Sequence, residues 1–306
     1  MRVAVIGVGH LGRHHARIVS SLPGVELAAV VDSNRDRAQQ VASAHGSRAL
    51  TDWRAVRGLA DAVTIATPTE THLDIAEPLL LGGVHVLVEK PMTRTTADAE
   101  RLLAAAAKSG ATFAVGHTER FNPAVAAARS VVREPRFIEV HRLGTFPERS
   151  LDIDVVFDLM IHDLDLVLQF VGGDVTTIDA VGVPVLTPRI DIANVRLKFS
   201  SGCIANLTAS RISRDRVRKI RFFQRDSYVS IDYTAQEVEV WRLVPKPEGM
   251  PAIEGGKMDV TREEPLKREL EDFVAAAREH REPAVTGAQG RAALALAEQI
   301  VERMTV

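Results

Sequence analysis

Three glycines within the first twelve residues constrain this chain more than any other feature. Gly7-Val8-Gly9-His10-Leu11-Gly12 follows the Val/Ile run Arg2–Ile6 and opens a helical pattern that continues over His14–Leu22, where Pro23-Gly24 ends it. A G-x-G-x-x-G match alone is weak, but between a strand and a helix of a βαβ unit it reads as a dinucleotide-binding turn. Gly7 would permit the tight turn, Gly9 the approach of backbone to a pyrophosphate, and Gly12 the close packing of helix on strand. His10 and Leu11 complete the loop. The helix that follows presents free N–H groups and the positive end of its dipole to phosphates. Three glycines in a turn that holds no ligand is the plain alternative.

The rest of the first third supplies the fold such a turn needs. Glu26–Val31, Ala62–Ala66, Val84–Val88 and Thr112–Gly116 are short apolar runs. Between them, Arg35–His45 (with Asn34 as cap), Glu70–Leu81 and Thr96–Ser109 read as helices, stopped by Gly82-Gly83 and Gly110. Continuous apolar strands alternating with amphipathic helices indicate a parallel sheet covered on both faces. Asp32 ends the second run, where a carboxylate accepts hydrogen bonds from ribose hydroxyls and repels a 2′-phosphate, so NAD is favoured over NADP. Ser33 and Asn34 offer a competing role for Asp32 as a helix-capping turn residue. Arg35 is a guanidinium that could pair with a 2′-phosphate, cover the adenine or face solvent.

Composition enters mainly to exclude. With 38 basic and 40 acidic residues among 306, the chain is no polycation, and neither nucleic acid nor an anionic membrane is an expected partner. No apolar run approaches the roughly 18 residues of a membrane span. The N-terminus lacks the apolar length and cleavage site of a signal peptide, so a cytoplasmic protein is expected. A single cysteine, Cys203, excludes an intrachain disulfide and a Cys-based zinc site. The length predicts about two domains, here 1–118 and 119–306, with a C-terminal helix free to pack back on the first.

Two motifs carry chemistry. Glu89-Lys90-Pro91 follows the fourth apolar run, at the strand edge where open α/β sheets bind ligands. A free lysine is a poor base at neutral pH. Partial burial and a positive nicotinamide ring would both lower its pKa, while a close Glu89 would oppose them. Lys90-Pro91 is also a candidate cis peptide. A strand-end salt bridge is the bland reading. Downstream, Asp154–Phe170 has a helical pattern in which Asp158 and His162 stand four apart and so share a face. An imidazole there suits general acid–base work. Asp163 and Asp165 make the run acidic, so a solvated face is the alternative. Asp158, His162 and His141 invite a metal reading, but no further ligand lies at a standard spacing and no metal is expected.

Taken together, the glycine loop, Thr67-Pro68-Thr69 followed by His72, Glu89-Lys90-Pro91 and Asp158-x-x-x-His162 resemble the Gfo/Idh/MocA oxidoreductases over essentially the whole chain. The resemblance implies an α/β chain: an N-terminal Rossmann doubly wound parallel sheet, then an α+β domain on a large, mostly antiparallel, open-faced sheet. It implies NAD(P)-dependent hydride transfer on a sugar, polyol or nucleotide sugar. Lys90 and His162 would line the reaction site with Asp158 nearby, either nitrogen being the base. Thr67, Pro68, Thr69, His72, Glu89 and Pro91 would join the cofactor site with Ser33. Gly116–Pro123 and Asp154–His162 are most similar to the nucleotide-sugar branch, which includes UDP-N-acetylglucosamine 3-dehydrogenases, and they place Arg120 and Asn122 among substrate contacts. Ser150–Val156 departs from the commoner pattern by having no glycine before the Asp.

The second domain reads as strands over Arg136–Phe146, Asp174–Val185, Asp191–Phe199, Ile204–Ile212, Arg216–Gln224, Tyr228–Tyr233 and Glu237–Leu243. A flexible loop over Pro245–Gly256 follows, then helices over Lys267–Glu279 and Gly290–Met304. Arg211 leads a basic concentration running to Arg225, whose forks could meet a substrate diphosphate or serve as solvated and interface residues. An open sheet face must be buried somewhere, which predicts a homodimer or homotetramer through that sheet. Dehydrogenation of a free sugar or polyol, and a non-catalytic dinucleotide or sugar sensor, are the rival functions.

Overall fold

The structure, a computed structural model, describes residues 1–146, 153–246 and 250–305. The chain divides into two units: Met1–Thr118 with Glu264–Ala292, and Glu119–Glu263 with Ala293–Val306.

In the first unit β1 (Arg2–Ile6), α1 (Gly12–Val19), β2 (Glu26–Val31), α2 (Arg35–His45), β3 (Arg48–Leu50), β4 (Ala62–Ile65), α3 (His72–Leu81), β5 (His85–Glu89), α4 (Thr96–Ser109) and β6 (Phe113–Gly116) follow in chain order. The six strands are all parallel, in the order β3-β2-β1-β4-β5-β6. This is the doubly wound order, with its reversal between β1 and β4. Every residue of β4 and β6 is buried, as a sheet covered on both faces requires. Asn34 caps α2 by accepting from the Arg37 amide, and Thr95 caps α4 by accepting from that of Asp98. Near the C-terminus, α7 (Pro265–Glu279) lays Leu270, Phe273 and Val274 into the apolar cluster of Ile18, Val19, Leu27 and Val30, and so belongs to this unit.

Three local readings change. β3 carries no pattern in sequence, being three residues of which Arg48 is exposed and Ala49 and Leu50 half-buried. α1 begins at Gly12 rather than His14. The helix read from Glu70 begins with a 3-10 turn over Thr69–Thr71 and becomes α-helical at His72.

The second unit is built on α5 (Pro123–Ala128), β7 (Phe137–Leu143), α6 (Ile161–Val171), β8 (Val175–Val183), β9 (Ile192–Phe199), β10 (Ile204–Ser210), β11 (Val217–Phe223), β12 (Ser227–Asp232), β13 (Glu237–Val244) and β14 (Ala252–Lys257), with the end of α8 (Gly287–Glu302). Its eight strands run β14-β13-β12-β11-β7-β10-β9-β8. Among the described residues, β7 and β10 pair in parallel and the other strand pairs of this sheet are antiparallel. Burial alternates along β7 and β9, so one face is core and the other is not. The core face packs Val140, Val195, Leu207 and Phe222 with Ala124 and Val125 of α5, Leu164 and Val167 of α6, and Leu296 and Ile300 of α8. The loop expected over Pro245–Gly256 is in part the strand β14, paired with β13; that edge strand is mostly exposed and hides its pairing from sequence. Residues 247–249 of that loop, and 150–152 of the glycine-free stretch, lie outside the described residues.

Candidate active site

The glycine turn is shaped by two close approaches. Gly7 sits at φ +82, a conformation side chains disfavour, and a Cβ on Gly12 would fall 1.7 Å from the Gly7 carbonyl oxygen. Gly9, in contrast, has room: a Cβ there would meet an Arg37 guanidinium nitrogen at 3.9 Å, an ordinary contact. Val8, Gly9, His10, Arg13, Arg37 and Gln40 line an open groove of about 560 Å³ there. Asp32 is buried at its carboxylate end: Oδ2 accepts the Val8 N–H (3.0 Å) and Oδ1 that of Asn34 (2.9 Å). An open backbone concavity beside two guanidinium groups, with a carboxylate fixed at the end of β2, fits a dinucleotide. The guanidinium beside Asp32 is Arg37, whose NH1 lies 3.4 Å from Oδ2. Sequence reasoning had offered Arg35, which is exposed like Ser33. The Asn34 cap, which accepts the Arg37 amide, was legible; the side-chain contact from Arg37 to Asp32 was not.

Lys90 is half-buried and follows β5, and the Lys90-Pro91 peptide is cis. His72 braces this loop. Its Nδ1 meets the Pro91 carbonyl at 3.0 Å and its Nε2 the Thr67 carbonyl at 2.9 Å, so both nitrogens are occupied by backbone rather than turned to a ligand. Burial pushes the His72 pKa below the usual histidine value, against the pull of those carbonyls. Thr67 is held in turn by the Thr71 hydroxyl at 2.7 Å. Pro68 is exposed and Thr69 half-buried. Glu89 points under the loop: its carboxylate lies against Gly116, and Oε1 contacts His15 Nε2 at 3.1 Å. Beside it stands Glu269 of α7, only 1% exposed. Burial first, and the Glu89 charge second, raise its pKa well above the carboxyl range, with Thr118 opposing. None of Glu269's role was legible locally, since it is brought in by the C-terminal helix.

Asp158 and His162 belong to the second unit. They do not lie on one uninterrupted α-helix. Val156–Met160 form a π turn, closed by Ile161 N–H to the Val156 carbonyl, and α6 starts only at Ile161. The backbone turn that carries Asp158 is therefore wider than an α turn. Both side chains are half-buried. Asp163 and Asp165 are not the solvated face that sequence suggested. Both are buried, and each takes a two-pronged arginine: Arg142 to Asp163 at 2.6 and 2.9 Å, Arg120 to Asp165 at 2.6 and 2.9 Å. Burial opposes the Arg142 charge, but Asp163 and Glu119 outweigh it and hold that guanidinium above its usual range.

Three residues expected to touch substrate are therefore differently employed. Arg120 is committed to Asp165. Asn122 caps α5 through the Ala124 amide and donates to the Tyr233 carbonyl. Arg211 is 1% exposed, with Nε on Asp191, NH1 on the Ile153 carbonyl and NH2 on Thr187. Each was a charged or amide group near a motif, and each is used internally because burial demands a partner.

Comparison with known proteins agrees across both units. The model of the GFO_IDH_MocA oxidoreductase family, NAD-binding Rossmann fold, matches residues 1–117, and that of the GFO/IDH/MocA C-terminal domain matches residues 125–226. A UDP-N-acetylglucosamine 3-dehydrogenase of Acidithiobacillus ferrooxidans is 40% identical over 305 residues, covering 98% of this chain and 96% of that protein. The solved structure of that organism's enzyme superposes with a TM-score of 0.93 at 39% identity, over 99% of this chain and 97% of that one. The scyllo-inositol 2-dehydrogenase (NAD(+)) of Bacillus subtilis is 30% identical over 70% of this chain and 68% of its own.

Proposed function

Given that this chain belongs to the GFO/IDH/MocA oxidoreductase family, we propose that it is an NAD-dependent dehydrogenase of a nucleotide sugar, oxidising UDP-N-acetylglucosamine at C3. The observation that carries the substrate is the 40% identity to the A. ferrooxidans enzyme, spread over nearly the full length of both proteins. Agreement with the inositol enzyme is lower and covers less of the chain, which favours the polyol reading less.

Bound NAD supplies the acceptor for the hydride that leaves the carbinol carbon. The residues of the chain handle the rest. The Gly7–Gly12 turn holds the pyrophosphate, and Asp32 takes the adenosine ribose hydroxyls. The hydroxyl proton goes to Lys90 or His162, and the partner nitrogen hydrogen-bonds the oxygen as it becomes a carbonyl. Asp158 orients them. His72 holds Pro91, and with it the Lys90 loop, against Thr67. Arg120, Asn122 and Arg211 carry no substrate role in this reading.

The open sheet face points to assembly. Trp241 and Leu243 of β13 and Val181 and Val183 of β8 are exposed apolar residues, and a homodimer or homotetramer through this sheet would cover them. Light scattering at micromolar concentration tests that, a monomer refuting it. Among the described residues no helix is long and apolar enough to cross a membrane.

The function is tested by NADH formation over a panel of UDP-sugars, free sugars and inositols. Turnover of UDP-N-acetylglucosamine, lost in Lys90→Met with NAD affinity retained, is the expected result. Turnover of free sugars or inositols alone overturns the substrate, and full turnover by Lys90→Met overturns the catalytic lysine. Saturable NAD binding with no turnover on any sugar would make the chain a sensor.

A further inference from the structure

We propose that the two buried ion pairs Arg120–Asp165 and Arg142–Asp163 are positioning pairs that fix the rotation of helix α6 and thereby aim His162. The proposal rests on the reading of His162 as an acid–base residue and deepens it.

The geometry is that of a residue held from both sides. With about 100° between successive residues, Asp163 projects about 100° to one side of His162 and Asp165 about 60° to the other. Each aspartate is gripped through two parallel N–H···O bonds, the arrangement with the most directional restraint an ion pair offers. The arginines are anchored elsewhere. Arg142 stands on the central strand β7, adds a 3.1 Å bond to Glu119 and lies over the Tyr233 ring, 5.3 Å from its centroid. Arg120 sits in the turn before Asn122, which is itself tied to the Tyr233 carbonyl. The pairs thus connect α6 to the sheet and to the segment entering the unit.

The helix needs such restraint because its N-terminal end supplies little. No side chain caps it, and it is preceded by the wide π turn at Val156–Met160 rather than by another α turn. Two buried ion pairs are also hard to justify by stability alone. Burying charge costs about as much as the pair returns, and apolar replacements of both partners are often neutral. A requirement for orientation accounts for both charges on one short helix flanking one imidazole. The leverage is large: about 10° of rotation moves an atom about 6 Å from the helix axis by about 1 Å. A misplacement of that size can cost about 100-fold in rate.

The decisive variant is the double replacement Arg120→Met/Asp165→Leu, compared with Arg120→Lys and His162→Asn. The proposal expects the double variant to melt close to the parent and bind NAD equally. Its kcat falls about 10- to 100-fold, with KM for the sugar little changed. Arg120→Lys, which keeps the charge but loses the fork, falls between, and it decides the matter by the same readouts if the double variant does not fold. A kcat per folded molecule within about twofold of the parent would overturn the positioning role.

A second readout needs no substrate. In imidazole-labelled protein the His162 signal is assigned by its loss in His162→Asn, and its titration midpoint is expected to shift in the double variant. An unchanged midpoint counts against the proposal. If the midpoint shifts while His162→Asn retains full kcat, the catalytic reading of His162 fails and the positioning of its side chain stands.

Discussion

Replacing Asp32 with Asn should convert the cofactor preference of this enzyme, and the size of the effect follows from what the carboxylate touches. Its two oxygens already accept the Val8 and Asn34 amides at 3.0 and 2.9 Å, so the charge is fixed in place rather than mobile. Loss of a charge-assisted bond to a ribose hydroxyl weakens NAD by about 1.5–3 kcal/mol. A 2′-phosphate about 4 Å from a carboxylate is repelled by about 1–4 kcal/mol per unit charge, depending on solvent access. Arg37 at the same edge is about half-exposed, which argues for the middle of that range, about 2 kcal/mol. Together the two terms move the NADP-to-NAD affinity ratio by about 3.5–5 kcal/mol, about 300- to 4,000-fold toward NADP. Asn also turns an amide N–H₂ toward one of the two backbone donors, destabilising the fold. That cost is common to both cofactors and cancels in the ratio. The assay is calorimetric Kd for each dinucleotide with parent, Asp32→Asn and Asp32→Asn/Arg37→Ala, the last losing the NADP gain. A ratio unchanged within about threefold would show that Asp32 does not face the 2′ position.

Gly12→Ala puts a methyl 1.7 Å from the Gly7 carbonyl oxygen, and a displaced turn that loses one charge-assisted bond to phosphate, about 1.5–3 kcal/mol, should bind NAD about 10- to 100-fold more weakly in titration calorimetry; unchanged affinity would refute the turn as phosphate cradle. Glu269, buried and facing Glu89, keeps a proton in the folded chain that the unfolded chain loses above about pH 4.3. Stability from that proton falls as pH rises from the unfolded pKa through the folded one, so Glu269→Gln should gain Tm relative to the parent as pH rises above about 4.3, and a flat difference would refute the raised pKa. Asp191→Asn leaves the buried Arg211 guanidinium without its carboxylate and should cost about 3–5 kcal/mol in urea unfolding. The donors around Asp191 hold its pKa low against burial, so the stability it contributes is present above the unfolded pKa and lost as pH falls through the folded one. The stability difference between parent and variant should therefore shrink as pH falls below about 4.

The cofactor half of the chain was legible because its signals are local. The turn from Gly7 to Gly12, the strand-end Asp32 and the Asn34 cap each depend on neighbours a few residues away, and backbone geometry restricts which residues can stand there. The exceptions obey the same rule. Arg37 was missed because the relevant distance is between side chains, and Glu269 because α7 reaches the first sheet from the far end of the chain.

On the substrate half, sequence could locate charge but not direction. Arg120, Asn122, Arg211, Asp163 and Asp165 all stand near motif residues, and a polar residue near a motif reads equally well as ligand contact or as internal brace. What separates the two is whether its partner is already in the protein, and those partners lie 20 to 111 residues away in sequence. The same need governs α6, where Asp163 and Asp165 both turn inward to arginines of other elements. A helix that must present a half-buried imidazole carries polar side chains inward, and each inward charge needs an opposite charge from another element to offset its burial. Sequence positions that look like an overcrowded active site can therefore be the supports of a sparse one.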